Sequence, residues 1–181
     1  YVRPLFRGRG TIADMDAFET TQAIRPAQER DIATIFRLVR ALAEYEKLLP
    51  AVVATEQDFR EALFPSVPGV RPSAEALLAF AGEKAVGFAL YFSTFSTFLG
   101  RPGIYLEDIF VEPEYRGRGF GSALLRRIAK IAVERRCGRV EWSVLTWNQP
   151  SIDFYLRMGA VVMDEWRTFR MTGAALDGLG A

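Results

Sequence analysis

Tyr105-Leu106-Glu107-Asp108-Ile109-Phe110-Val111-Glu112-Pro113-Glu114-Tyr115-Arg116-Gly117-Arg118-Gly119-Phe120-Gly121-Ser122-Ala123-Leu124-Leu125 is the stretch around which the rest of the chain is read. Ile104 to Val111 is a β-branched and aromatic run of strand length. Glu112-Pro113 closes it, because proline turns its predecessor away from helix and has no N–H for a ladder. Beyond the loop, Leu124, Leu125, Ile128, Ile131 and Ala132 recur at three and four, with Arg126, Arg127 and Lys130 off that stripe, which predicts an amphipathic helix. Gly117, Gly119 and Gly121 therefore fall where that helix begins.

A helix N-terminus leaves about four N–H groups without partners and carries roughly half a positive charge, so it attracts phosphate. Alternating glycines let the backbone come close, and Arg116 and Arg118 would add charge-assisted bonds to a diphosphate. A nucleotide P-loop would end in Gly-Lys-Ser/Thr, and this loop ends Gly121-Ser122-Ala123. A dinucleotide fingerprint would place its third glycine at Ser122 and follow an apolar strand, not one interrupted by Glu107-Asp108.

What remains is Arg-x-x-Gly-x-Gly at Arg116, Gly119 and Gly121 after an acid-bearing strand, and it resembles the GNAT superfamily of acetyl-coenzyme A dependent N-acetyltransferases. Tyr-Leu-Glu-Asp at 105 to 108, Tyr115-Arg116-Gly117, and Trp147-Asn148-Gln149-Pro150-Ser151-Ile152-Asp153-Phe154-Tyr155 with Met158-Gly159-Ala160 are similar to the diamine (spermidine/spermine, thialysine) branch. The resemblance runs from about Ala23 to Met171. It implies an α/β fold whose mixed, mostly antiparallel sheet is splayed centrally, with helices on both faces. Coenzyme A would enter between the strand ending at Val111 and one ending near Leu145.

The resemblance also implies an activity, transfer of acetyl from acetyl-CoA to a primary amine of a small diamine- or amino-acid-like acceptor, directly in a ternary complex. A non-catalytic acyl-CoA-binding module is the alternative. Glu107 would be the base, through water, and Tyr155 the acid toward the departing sulfur. Asp108, Tyr45 and Glu46 would line the acceptor pocket. Arg116, Gly117, Arg118, Gly119, Phe120, Gly121, Ser122, Asn148 and Ser151 would contact the cofactor, and backbone N–H groups from Ile109, Phe110 and Val111 would receive the oxyanion. Each residue has a plainer reading: an ion pair for Glu107 or Asp108, a core tyrosine for Tyr155, a helix cap for Asn148 and Ser151, an exposed helix end for Glu44-Tyr45-Glu46. Adjacent strand residues face opposite sides, so Glu107 and Asp108 are not expected to serve one site together. Where polyamine-acetylating relatives carry an acid and a tryptophan, this chain has Ser96, Thr97 and Phe98, which points away from spermidine or spermine.

The chemistry itself sets demands. A lysine-type amine of pKa about 10.4 is neutral in only ~1 of 10³ molecules at pH 7, so a proton acceptor or a dry site is needed. The chain has no histidine and one cysteine, which excludes an intrachain disulfide and a Cys-cluster metal site and leaves carboxylate, tyrosine or backbone for catalysis. No metal is expected. Cys137 falls at a helix C-terminus, where the dipole disfavours thiolate, so it is not read as a nucleophile.

With 181 residues, half of them hydrophobic, one domain with a real core is expected. Apolar runs are of strand length, which predicts no membrane span and a cytoplasmic protein. Net charge is +1, yet residues 116–139 hold eight Arg/Lys against one Glu, or +7, leaving −6 elsewhere. That sorting suits an anionic cofactor and a cationic acceptor. Most of these arginines lie on the polar side of the predicted helix, so no nucleic-acid partner is expected. A homodimer is implied by the family alone.

Along the chain, residues 1–22 read as an arm or extension, with Met15 an alternative start, then a domain over 23–171 and a frayed tail over 172–181. A short strand at Ala23-Ile24-Arg25 precedes a helix whose inner face is Ile32, Ile35, Phe36, Val39, Leu42 and Ala43. Thr55 caps a second helix that Phe64-Pro65 stops. Ala76 to Ala81 and Ala85 to Thr94 form a hairpin across Gly82-Glu83-Lys84, and Phe95 to Gly103 is a connection. Gly138 is the stop before a strand at Arg139 to Leu145, Pro150 opens a short helix, and Val161 to Glu165 with Trp166 to Met171 make a closing hairpin.

Overall fold

Strand follows strand across the sheet in chain order. In the computed structural model, which describes residues 22–181, β1 (Gln22–Pro26), β2 (Glu75–Ala81), β3 (Lys84–Ser96) and β4 (Arg101–Val111) pair antiparallel. β5 (Val140–Glu141) joins β4 in parallel, so the five-stranded sheet is mixed and mostly antiparallel. All of this lies in the first of two compact units, which ends at Ser143; the second is Val144–Ala181. The expected arm, apart from Gln22, lies outside the described residues.

Two helices sit on one face. α1 (Ile32–Tyr45) and α2 (Glu56–Leu63) bury Ile32, Ile35, Leu38 and Leu63 against Ala76, Leu78, Phe88 and Phe110. Burial of each large side chain is worth about 1.5–3 kcal/mol. Leu38 is fully buried while Phe36, Val39 and Leu42 are only half-buried, so the inner stripe is centred to one side of the periodic reading. Thr55 caps α2 as expected: its hydroxyl accepts from the Asp58 N–H, and the Asp58 carboxylate accepts from the Thr55 N–H at 2.7 Å. α1 stops in a Schellman turn, with Lys47 at φ 61° and the Leu48 N–H on Ala43 O at 2.7 Å.

α3 (Phe120–Glu134) packs on β3 and β4 and buries Leu124, Leu125, Ile128, Ile131 and Ala132, the stripe read from the sequence. Its end is not made by Gly138. Arg136 takes the left-handed position at φ 56°, with the Cys137 N–H on Ala132 O at 2.8 Å and the Arg136 N–H on Val133 O at 3.0 Å. Gly138 instead lets the chain pass close to Leu99, whose Cδ1 would stand 2.7 Å from an added Cβ.

The 95–103 connection is tighter than expected. β3 continues to Ser96 and β4 begins at Arg101, because the Ser, Thr and Phe residues there suit a pleated strand; only four residues turn the corner, with the Gly100 N–H on Ser96 O at 2.8 Å. The strand expected over Arg139 to Leu145 shrinks to Val140–Glu141, whose partners are Ile104 and Tyr105. Among the described residues no ladder joins β4 to the chain after Glu141.

The second unit holds α4 (Gln149–Arg157), opened by Pro150, and α5 (Ala174–Gly180), where a frayed tail was expected. The closing hairpin over residues 161–171 is absent: the stretch is irregular, with one turn closed by the Trp166 N–H on Met163 O at 3.1 Å. Val161, Met163, Trp166 and Phe169 are exposed, and a hairpin with no apolar face to pack on is marginal in water.

Candidate functional site

Glu112 anchors the end of β4. Burial pushes its carboxyl up, but hydrogen bonds from Arg37 and Lys84 outweigh that and hold it below the ordinary range; Lys84 Nζ lies 3.1 Å from Oε2. The chain then turns through Pro113–Tyr115, and Gly117 and Gly119 take φ of 73° and 89°, which side chains avoid. Gly119 is the N-cap of α3 with no side-chain cap, and the first turn carries no acid. The amides of Phe120, Gly121 and Ser122 thus have no helical partner and face no carboxylate of their own turn.

This donor set fits a diphosphate through backbone, with side-chain roles narrower than expected. The Arg116 guanidinium folds inward, its Nε donating to Val111 O at 3.0 Å and its carbon lying 4.3 Å from the Tyr45 ring and 5.5 Å from Phe110. It ties the loop to the α1 side of the sheet. The Phe120 ring is buried against Tyr115, 6.4 Å between centroids, so Phe120 offers only its amide. Arg118 lies over the other partner, 5.2 Å from the Tyr115 ring, and stays at the exposed rim.

A bulge reshapes the middle of β4. Leu106 pairs with Tyr91 and Asp108 with Leu90, which leaves Glu107 as an extra residue. Ile104 donates its N–H to Arg139 O, on the β5 side, at 3.1 Å, whereas Glu112 donates to Val86 O on β3 at 2.9 Å. N–H directions alternate along a strand, so two even-numbered residues pointing opposite ways require one reversal between them, and Glu107 supplies it. The amides of Ile109 and Val111 therefore face the edge that β5 has left. Phe110 does not join them: its amide points to β3 and its ring belongs to the core.

The same bulge overturns the expectation that Glu107 and Asp108 face opposite sides. Tyr105 lies opposite Phe92 and Asp108 opposite Leu90, and Phe92 and Leu90 share a face of β3. Alternation from Tyr105 sends Glu107 to that face, and register sends Asp108 there as well. It is the face covered by α1, whose C-terminal Tyr45 packs against Phe110 at 6.5 Å and is followed by Glu46. The Asp108 carboxyl is pushed up to about 7, by burial first, then by the charges of Glu107 and Glu46. Burial also raises Glu46. Among the described residues, no cation pairs with any of these three carboxylates. Such a group can bind an ammonium and take a proton from it.

Tyr155, Asn148 and Ser151 lie in the second unit. Asn148 stands at the N-cap of α4, buried, but its side chain makes no cap bond. Their spacing of three and four places all three along one side of the helix, and the Tyr155 ring tilts against Phe154 at 5.2 Å. Sequence reading passed over two rings, Phe92 and Tyr105, which stack across β3 and β4; only the register reveals that pairing. Among the described residues no three His, Cys, Asp or Glu side chains, the Glu46, Glu107 and Asp108 group included, are placed to hold one metal ion, and no helix is long and apolar enough to cross a membrane.

Residues 36–160 match the family described as Acetyltransferase (GNAT) family. The chain is 40% identical over 160 residues to the thialysine N-epsilon-acetyltransferase of Bos taurus, covering 84% of this chain and 94% of that protein. It is 34% identical to the L-ornithine N5-acetyltransferase NATA1 of Arabidopsis thaliana, over 86% of each. Among solved structures, the integron cassette protein VCH_CASS6 from the mobile metagenome of V. cholerae aligns with a TM-score of 0.72 at 25% identity, over 89% of this chain and 98% of that one.

Proposed function

The chain belongs to the GNAT acetyltransferase family, and from that membership we propose that it moves acetyl from acetyl-CoA directly to a primary amine of a small diamine- or amino-acid-like acceptor. The observation that carries this acceptor class is the group Glu46, Glu107 and Asp108, which pairs with no cation among the described residues, on β4 beyond its pairing with β5. Relatives that act on thialysine and ornithine support the same class.

In this reading the acceptor's ammonium binds among the three carboxylates. Asp108, near neutrality in its proton affinity, takes the proton, with Glu107 as the second carboxylate of the pair or the relay through water. The neutral nitrogen attacks the thioester carbonyl, a C–N bond forms, and the oxyanion is met by the amides of Ile109 and Val111. Collapse breaks the C–S bond, the nitrogen's remaining extra proton leaves to the carboxylates, and the thiolate is protonated. Tyr155 as that acid, and Asn148 and Ser151 as cofactor contacts, rest on the family resemblance. A homodimer in the cytoplasm belongs to the same proposal.

Thiol release measured with acetyl-CoA and a panel of diamines, thialysine, amino acids and peptides tests it. Release dependent on a small primary amine is expected. Release with none of them, or only with peptides, would overturn the acceptor class.

A further inference from the structure

The β2–β3 turn sets a cation against the glycine loop that precedes α3. Gly82 takes φ 61° and with Glu83 makes a two-residue turn that closes on the Ala81–Lys84 pair, so the hairpin fixes where Lys84 stands at the start of β3. Glu112 ends β4 with its carboxylate buried, and two elements divide its oxygens: Arg37 of α1 takes Oε1, and Lys84 Nζ lies 3.1 Å from Oε2. The same Nζ is 3.9 Å from Glu114 Oε1 and 4.8 Å from the centroid of the Tyr115 ring. Glu112 raises the Lys84 pKa against the opposing effect of burial, and Tyr115 adds to that rise, so the ammonium stays charged. Tyr115 carries the contact onward. Its N–H donates to Glu112 O at 2.9 Å, the Arg118 guanidinium lies over its ring at 5.2 Å, and the ring meets the buried Phe120 ring edge to face at 6.4 Å. Phe120 opens α3 and supplies the first amide without a helical partner.

We propose that Lys84 is a positioning residue for acetyl-CoA, bracing Glu112 and Tyr115 so that the amides of Phe120, Gly121 and Ser122 stand ready for the diphosphate. This rests on the diphosphate binding at those amides, and it adds a residue that lies outside them. Gly117 and Gly119 give the loop conformational freedom and no side chain caps α3, so the loop's shape before the cofactor arrives depends on what holds its ends. A loop ordered in advance loses less entropy on binding. Without Lys84 the buried Oε2 loses its cation, and the Tyr115 ring loses one of the two charges over it. Arg37 still holds Oε1, so the fold is kept while the loop loosens.

The test measures acetyl-CoA binding by calorimetry, without acceptor, in the parent, Lys84→Met, Lys84→Arg, Tyr115→Leu and the double variant Lys84→Met/Tyr115→Leu. Lys84→Met is expected to weaken binding about tenfold, within the range for a residue that acts on a site it does not touch. Lys84→Arg keeps a cation beside Glu112 and should restore most of the affinity. With an amine from the panel above, KM for acetyl-CoA should rise in Lys84→Met by the same factor, while kcat and the KM of the amine stay within about twofold. Tyr115→Leu removes the ring through which Lys84 reaches Phe120, so in that background Lys84→Met should weaken binding by only about threefold or less. Losses that multiply in full would mean that Lys84 attracts the anionic cofactor through solvent, and would overturn the proposal. Unchanged affinity in a folded Lys84→Met overturns it as well. Should Lys84→Met not fold, Tyr115→Leu decides, because unchanged affinity there removes the path from Lys84 to α3. A parent that takes up no acetyl-CoA brings down the diphosphate site itself, and the brace with it.

Discussion

On the proposed reading the acceptor's proton goes to one carboxyl group, that of Asp108. Its pKa of about 7 against an ordinary 3.8 means that the folded protein holds a proton that the unfolded chain releases. Stability from this group is therefore full only below about pH 4, falls as pH rises toward 7, and is level above that. Asp108→Asn removes the penalty of the buried charge, so its unfolding free energy should exceed the parent's by a margin that widens from pH 5 to pH 8, by about 1–3 kcal/mol after allowance for partial exposure. Urea denaturation at the two pH values reads it, and a margin that stays constant would contradict the assignment. Activity should move oppositely. The same variant cannot accept the acceptor's proton, and kcat/KM should drop about 10²-fold or more, with loss of the parent's rise near pH 7. Gain in stability with loss of turnover separates a functional carboxylate from a structural ion pair, whose removal would cost both.

Helix termini decide what α3 can bind and how it ends. At its N-terminus, Gly119 at φ 89° turns the first amides outward. Gly119→Ala should cost about 1–2 kcal/mol of stability and weaken acetyl-CoA binding about tenfold by calorimetry, because the strained residue relaxes by rotating those amides. At the other end, Arg136 occupies a position that glycine fills without strain, so Arg136→Gly should raise stability by about 1 kcal/mol and leave acetyl-CoA affinity unchanged. These termini also show what was legible beforehand. The start of α3, the Thr55 cap and the β2–β3 hairpin were readable because each depends on a few neighbouring residues. The left-handed Arg136 was not, since Gly138 nearby is the better local candidate and lost to close packing against Leu99. The bulge at Glu107 was not readable either. It depends on how two strands align over their whole length, and one extra residue sent Asp108 to the face where it meets Glu107 and Glu46. The hairpin expected over 161–171 does not form, and its apolar side chains Val161, Met163, Trp166 and Phe169 are exposed.

Across the whole chain, positive charge gathers in residues 116–139 while the remainder is net negative, as two substrates of opposite charge held together would require. Direct transfer needs both bound at once; a covalent acetyl-enzyme would need one at a time and a nucleophile to carry the acetyl. Cys137 is the only thiol in the chain. It follows the end of α3, where the carbonyl ends of the helix disfavour thiolate, and its own N–H is spent on Ala132 O. The nearby Arg135 cannot compensate, because Glu75 holds it with bonds of 2.5 and 2.7 Å. With no histidine to deprotonate a serine, the chain has no activated nucleophile of the usual kinds. Initial rates over a grid of acetyl-CoA and amine concentrations should therefore give intersecting double-reciprocal lines, and Cys137→Ser should keep kcat within about twofold. Parallel lines, or acetyl retained on the protein after gel filtration without acceptor, would mean that the carboxylates act on an acyl group already transferred, and the ternary complex would have to be abandoned.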